Sequence, residues 1–388
     1  MSPRSTTSSS VRRSWRKSTP SPSTRADPAV RARGSLSSRE RVRLALEHRE
    51  TDRIPIAMVC AGINAPARRE LEAYLGRERG LTVEEYLRPL IDIADVAPEY
   101  VGPRLPEGED IWGVRRRPVS YGAGEYDEID HYPLADAESP ADLERHTWPT
   151  PDLFDYSVLP ARIAAAHAHG ERCIMIANGN VFETSWYMRG FARMLLDFAE
   201  NPDLAQAIMH RVTDFYIAHF RQALAAARGE IDLVFTADDI GSQRGLLMSL
   251  PMWEACVKPH HARLNAALHE FGVKVIYHTD GAVMDAVEGL IEMGIDVLQA
   301  LQFSAEGMDP WVLKQRWGDR LYFEGGVSVQ TTLPFGTPDD VRAEVERLIE
   351  VLGRGGGYIL GPSHAIQAGT PPENIVAMFD TAASYYPF

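Results

Sequence analysis

The chain has 388 residues, 45% of them hydrophobic and 24% charged, and a formal net charge of −14. Those proportions exclude the disordered, collagenous and disulfide-scaffold classes, and no apolar run approaches the ~18 residues that a membrane-spanning helix needs. Residues 1–36 hold eight basic side chains and one acid, so the remainder stands at −21, a charge that disfavours nucleic acid or an anionic membrane as partner. This Ser-, Arg- and Pro-rich stretch is too poor in aliphatics to repay ordering and reads as a disordered tail peripheral to the fold. Cys60, Cys173 and Cys256 are scattered, with no paired spacing and no base nearby in sequence. They predict a reducing, cytoplasmic setting and no nucleophilic role.

Ordered structure is expected from residue 37, where Ser37 and Glu40 have the spacing of a capping box. Residues 53–60 form an apolar run that predicts a buried strand, and 66–93 read as helical. The Pro-rich stretch 98–150, with a strand over 110–117, reads as an insertion or cap. From residue 156 onward short apolar runs at 172–177, 232–237, 273–277, 295–300, 320–323 and 357–360 alternate with helical stretches at 203–228, 252–271, 282–293, 338–352 and 372–384. Apolar strands separated by helices predict a parallel sheet buried on both faces. With the 53–60 strand and one from 98–117 the count reaches about eight, which predicts a closed β/α barrel over 37–388, with a doubly wound open sheet as the alternative.

Each late run ends on its C-terminal side in amide, carboxylate or imidazole. Asn178 and Asn180 follow the first, Asp238, Asp239 and Gln243 the second, and His278 and Asp280 the third. Gln299 and Gln302, then Glu324, then His364 close the remainder. Turn geometry accounts for Asn and Gly at such places but not for His, Glu and Gln, so these ends predict an active site on one face of the barrel. His278, Asp280 and His364 are the sharpest group. Residues two apart on an extended segment face the same way, and two imidazoles with a carboxylate suit Zn²⁺, and equally Fe²⁺, Mn²⁺ or Co²⁺. A hydrogen-bonded His–Asp pair without metal is the plainer reading of the same spacing. His210, His219, His260, His261 and His269 fall on helices and read as surface or packing residues.

The run Asp238-Asp-Ile-Gly-Ser-Gln243, then Lys258-Pro259, then His278-Thr-Asp-Gly281, resembles the uroporphyrinogen decarboxylase superfamily. So do Glu324-Gly-Gly326, Gly357 to His364 and Thr370-Pro-Pro-Glu-Asn374. The resemblance spans 38–386 and implies a β/α barrel. It also implies one of two activities, tetrapyrrole decarboxylation or methyl transfer between a corrinoid and a thiol. The decarboxylases carry an Arg-rich motif where this chain reads Met58-Val-Cys-Ala-Gly-Ile-Asn-Ala65, without arginine. The methyltransferase branch therefore resembles it more. That branch holds zinc through an HxC pair and a later Cys, and His278, Asp280 and His364 stand at those positions.

The resemblance thus implies a metal-dependent enzyme with His278, Asp280 and His364 as ligands. Glu324 (as fourth ligand or general base) and Asp239 are the expected catalytic carboxylates, and Asn178, Asp238, Gln243 and Gln302 orient a small-molecule substrate. A separate corrinoid protein carrying methylcobalamin is the implied partner. A hard ligand set of this kind favours an oxygen substrate over a thiol. The rivals are decarboxylation of a tetrapyrrole and a non-catalytic ligand-binding barrel.

Overall fold

The computed structural model describes residues 36–388 apart from 61, 121, 123 and 124. The expected basic tail, Leu36 excepted, lies outside the described residues. Helix Ser38–Ala45 starts as its sequence demands: the Ser37 hydroxyl accepts from the Glu40 amide, and the Glu40 carboxylate accepts from the Ser37 amide.

Seven parallel strands form the central sheet in chain order: β1 (Ile93–Asp95), β2 (Cys173–Asn180), β3 (Leu233–Ala237), β4 (Lys274–His278), β5 (Val297–Ala300), β6 (Tyr322–Val327) and β7 (Tyr358–Pro362). Alternate residues of these strands enter two separate apolar clusters. Val234, Val275, Leu298 and Phe323 pack outward with the helices, whereas Leu233, Phe235, Ile276, Val297 and Ile359 fill a smaller inner cluster. This is why the strands read as unbroken apolar runs: both faces of the sheet are buried.

The predicted strand at 53–60 is present as a bridged segment rather than a ladder strand. Ile56 bridges Leu360 of β7 in parallel sense, the Ala57 amide donates to Leu360 O at 2.9 Å, and the Leu360 amide donates to Pro55 O at 2.8 Å. On its other side the Asp92 amide donates to Ile56 O at 2.8 Å, just ahead of β1. Pro55, which has no amide to give the ladder, keeps this pairing short.

Three expectations need correction. The helical reading of 66–93 breaks into Ala65–Arg79 and Val83–Leu87, and its last residue opens β1. Gly80 ends the first helix in the left-handed region, φ 65°. The 98–117 stretch supplies no strand to the parallel sheet. Its Arg115–Ser120 pairs antiparallel with Glu125–His131 in a separate hairpin, since the sequence Arg-Arg-Arg-Pro-Val-Ser cannot be buried on both faces. The predicted helix 252–271 divides at Lys258-Pro259 into Leu250–Cys256 and Lys258–His269, because proline there lacks the amide a continuous helix would use. No helix among the described residues is long and apolar enough to cross a membrane.

Beneath the first strand lies a buried ion network. Asp92, whose side chain is fully buried, accepts from Arg41 Nη1 at 2.6 Å, from Arg53 Nη1 at 2.8 Å and Nη2 at 3.0 Å, and from the Ile56 amide at 2.9 Å. Arg41 also clamps Asp52 through Nε at 2.7 Å and Nη2 at 2.9 Å. One carboxylate thus ties the first helix, the Ile56 segment and β1 together.

Candidate functional site

His278 is the last residue of β4, and it is in register with Gln299 of β5, which is in register with Glu324 of β6. The Gln299 Oε1 accepts from His278 Nδ1, so the neutral imidazole keeps its Nε2 lone pair for the space above the strand ends. That Nε2 stands 3.7 Å from Asp239 Oδ1, and His364 Nε2 stands 3.9 Å from Asp280 Oδ2. The two imidazole rings lie 5.7 Å apart between centroids. The Asp280 amide donates to Asp239 Oδ1 at 2.7 Å, which braces the His278–Asp280 turn against the end of β3. Burial and the nearby Asp239 hold the Asp280 carboxyl above its ordinary range, while His278 and His364 pull it down.

His278, His364 and Asp239 border a cavity of about 1030 Å³. Asp95, Asp127, Glu128, Glu183 and Asp239 line it, with Asn178, Asn180, Trp186, Tyr187, His278 and His364. The hairpin expected as a cap contributes Arg116, Asp127, Glu128 and Ile129 to its wall. Arg116 is the one cation among the described lining residues, and it donates to Asp110 at 2.7 Å while lying 5.0 Å from the Tyr187 ring. Burial lifts Asp95 to about 6. Burial, with Asp238 and Asp239 adding repulsion, lifts Glu183 to about 8 against the pull of Asn180, whose Nδ2 donates to it at 2.6 Å.

Not every predicted residue reaches this space. Asp238 is fully buried and its carboxylate accepts from the Phe182 and Glu183 amides, both at 2.7 Å, and from His261 Nε2. It serves as the anion at the start of helix Val181–Arg189. Gln302 Oε1 accepts from the Gly281 amide at 2.8 Å, and its Nε2 donates to Gln330 at 3.0 Å, so its amide holds loops. Gln243 is exposed in the two-residue-stranded turn after β3 and does not line the cavity. Asn178 does line it, from a left-handed backbone at φ 83°.

Glu324 stands behind His278, fully buried, with neither carboxylate oxygen in a hydrogen bond. Burial pushes it up to about 8; the Gln299 amide lies near enough to draw it down without closing a hydrogen bond. Room for this carboxyl comes from Gly361, where a Cβ would meet Glu324 Oε1 at 2.7 Å and Ala57 O at 2.6 Å.

Two residues escaped the sequence reading. Glu183 sits in the aromatic-rich helix Val181–Arg189, outside the polar residues that follow the strands directly. Cys60, dismissed as isolated, brings its thiol within 4.8 Å of ligating nitrogens of both His278 and His364. Asp239, His278 and Asp280 form a second such group sharing His278. Burial, then the Asp280, Glu324, Asp239 and Glu183 charges, push the Cys60 thiol up to about 12.

Glu183 gives a pH prediction for metal-stripped protein. Its unfolded carboxyl titrates near 4.5 and its folded one near 8, so between these the unfolded chain binds fewer protons and stability falls as pH rises. Chemical denaturation at about pH 5.5 and about pH 8.5 should show a smaller decline for Glu183→Gln than for wild type. An equal decline in both would assign the dependence elsewhere.

The uroporphyrinogen decarboxylase (URO-D) family model matches residues 118–385. The chain is 25% identical over 378 residues to a uroporphyrinogen decarboxylase of Alkalilimnicola ehrlichii, covering 91% of this chain and 96% of that protein. It is 28% identical over 196 residues to a methylated-thiol–coenzyme M methyltransferase of Methanosarcina mazei, covering 50% of this chain and 49% of that one. A solved methyltransferase structure from Methanosarcina mazei superposes with a TM-score of 0.62 at 18% identity, over 90% of this chain and 98% of the other. With the matched segment running from the hairpin through β7 to the last helix, the chain belongs to the uroporphyrinogen decarboxylase family.

Proposed function

We propose that this protein is a metal-dependent methyltransferase that takes a methyl group from a corrinoid partner and passes it to, or draws it from, a small molecule. The reading rests on one observation, the convergence of His278, Asp280 and His364 at the strand ends beside an acidic cavity. Their donor types suit a divalent ion; His278 and His364 fall in one group of potential ligands, and His278 and Asp280 in another. The 3.9 Å between His364 and Asp280 is close to the ~3.4 Å edge of a tetrahedron whose ligands lie ~2.1 Å from its centre. The likeness to a named methyltransferase supports the same branch.

His278, Asp280 and His364 would hold the ion. When bound, it supplies Lewis acidity that lowers the pKa of a substrate heteroatom. Gln299 fixes the His278 tautomer from behind, and Asp239 braces the Asp280 backbone while keeping a partly exposed carboxylate toward the cavity to accept a substrate proton. Glu183, its carboxyl lifted by burial and by the nearby Asp238 and Asp239, lines the cavity on the Asp239 side and would donate a hydrogen bond when protonated. Trp186 and Tyr187 supply an apolar surface for the substrate body. We also take the bridged Ile56 segment as the eighth stave that closes the barrel. The direct trial is demethylation of methylcobalamin by metal-loaded protein with a panel of thiol, alcohol and phenol acceptors. Activity with one class, abolished by chelation, is the expected result. No turnover with any class after metal loading would count against the reading.

Decarboxylation of a tetrapyrrole is the second reading, favoured by the near full-length likeness to a protein of that name. The cavity opposes it. A substrate bearing many carboxylates needs cations, and the one arginine among the described lining residues is already paired with Asp110. Incubation with uroporphyrinogen should yield no coproporphyrinogen above the uncatalysed background. Robust formation would restore this reading.

A further inference from the structure

We propose that Cys60 supplies a thiolate ligand to the ion held by His278 and His364, so that the centre carries sulfur as well as nitrogen and oxygen. The proposal rests on the metal reading above and extends it.

The argument begins with backbone register. The Ile56 segment bridges Leu360 in parallel sense, and further on Ile63 bridges Ile366. At the first stitch the Ala57 amide donates to Leu360 O at 2.9 Å; at the second the Ile366 amide donates to Gly62 O at 2.9 Å and the Asn64 amide to Ile366 O at 3.0 Å. Cys60 and His364 each lie four residues beyond the first bridge. In a parallel pair, equal displacement from one bridge places residues as neighbours across the ladder. From the second bridge Cys60 lies three residues back and His364 two, so the register slips by one between the stitches and sets Cys60 level with 363–364.

Side-chain geometry agrees. The Cys60 sulfur and the ligating nitrogens of His278 and His364 all lie within 4.8 Å of one another. A tetrahedral ion with S at ~2.3 Å and N at ~2.1 Å spans its donors by about 3.4–3.7 Å, so small side-chain rotations bring all three to one ion. Cys60 lines the cavity together with both histidines. Cys173 is fully buried in the strand interior, and neither it nor Cys256 joins a group of potential ligands among the described residues.

Chemically, a sulfur donor changes what the centre prefers. The two-imidazole, one-carboxylate set read from the sequence is hard and favours oxygen. A thiolate makes it softer and shifts preference toward sulfur substrates. The thiol also arrives on a different stave from the histidines, so it is added by the fold and not by either motif.

The test loads chelator-stripped protein with Co²⁺, whose thiolate complexes show a near-ultraviolet charge-transfer band distinct from the visible d–d bands. Wild type is expected to bind about one equivalent with both sets of bands, as a one-ion site requires. Cys60→Ser should keep the d–d bands and lose the charge-transfer band. Its Co²⁺ affinity should fall by at least the ~10–100-fold typical of even an outer-shell change. Cys173→Ser and Cys256→Ser should keep the band. On wild type itself, Co²⁺ should protect Cys60 from iodoacetamide, a readout independent of any variant's folding. Cobalt bound without the band, or a band that survives in Cys60→Ser, would overturn the thiolate while leaving the metal reading intact. Failure of wild type to bind Co²⁺ at all would overturn both.

Discussion

Replacing His278 by alanine is expected to weaken divalent-metal binding by more than about 100-fold, beyond the ~10–100-fold that loss of an outer-shell partner costs. His278 belongs to both potential ligand groups, whereas Cys60 and His364 belong to one and Asp239 and Asp280 to the other. Its removal damages either arrangement, so it should have the largest effect of any single change at the site. The fold should persist, because the ring sits at the end of β4 and the inner and outer apolar clusters are built without it. Competition of a chromophoric chelator for Zn²⁺ measures the affinity, and circular dichroism checks the fold. Gln299→Leu offers a graded comparison, since it takes away only the acceptor that fixes the His278 ring. It should fall within the outer-shell range. If His278→Ala binds as tightly as wild type, the centre does not lie where the strand ends converge.

The largest effect on stability is expected at Asp92→Ala. The substitution strands the Arg41 and Arg53 guanidiniums, with side chains only 6% and 15% exposed, and leaves the Ile56 amide without its acceptor. Removing one member of a buried ion network costs about 3–5 kcal/mol, mostly as the uncompensated charge left behind. Arg41 retains Asp52 and so does not lose every partner, which places the expectation toward the lower part of that range. Urea denaturation of matched metal-free samples gives the number. Asp92→Asn should cost less, because an amide still accepts one hydrogen bond. A loss below about 1 kcal/mol for the alanine would mean the network is no stronger than a surface pair.

The parallel sheet was legible because its strands are buried on both faces. Leu233–Ala237 and Tyr358–Pro362 are buried at every position, Thr236 included, so no exposed polar residue blurs the pattern. The polar residues that follow such runs were legible for the same reason, and so His278, Asp280, His364 and Asp239 could be named in advance. What they cannot tell is which way a side chain turns. Asp238 and Asp239 are adjacent, and one is drawn under a helix start while the other faces the cavity. Successive residues of an extended chain point to opposite sides, so only one of them can serve the open side.

β1 was misassigned for a different reason. Ile93–Asp95 is three residues long and follows directly on a helical stretch, too short for alternation or length to register. Cys60 was invisible because its neighbours are more than two hundred positions away, and only the pairing of the Ile56 and Leu360 segments brings them together. Glu183 was hidden by its company. Phe182, Trp186 and Tyr187 mark a packing helix, and its one acid faces the cavity from the first turn.

The acidic wall of the cavity has a consequence for how molecules arrive. Among the described residues, four lining carboxylates beside the Glu183 carboxyl, which burial lifts to about 8, and one arginine already paired with Asp110 make a mouth of one sign, and low-dielectric walls concentrate such a field. Cations and neutral molecules with a positive end are drawn in faster than diffusion alone would bring them, and anions are slowed, by factors of about 10–1,000 in on-rate. The field reaches little beyond ~8 Å at physiological ionic strength, so it acts on the last steps of approach and weakens as salt rises. A divalent ion therefore finds its donors readily, while an anionic acceptor enters only by presenting an uncharged end first. Charge at the rim selects by rate before any contact inside the cavity selects by affinity.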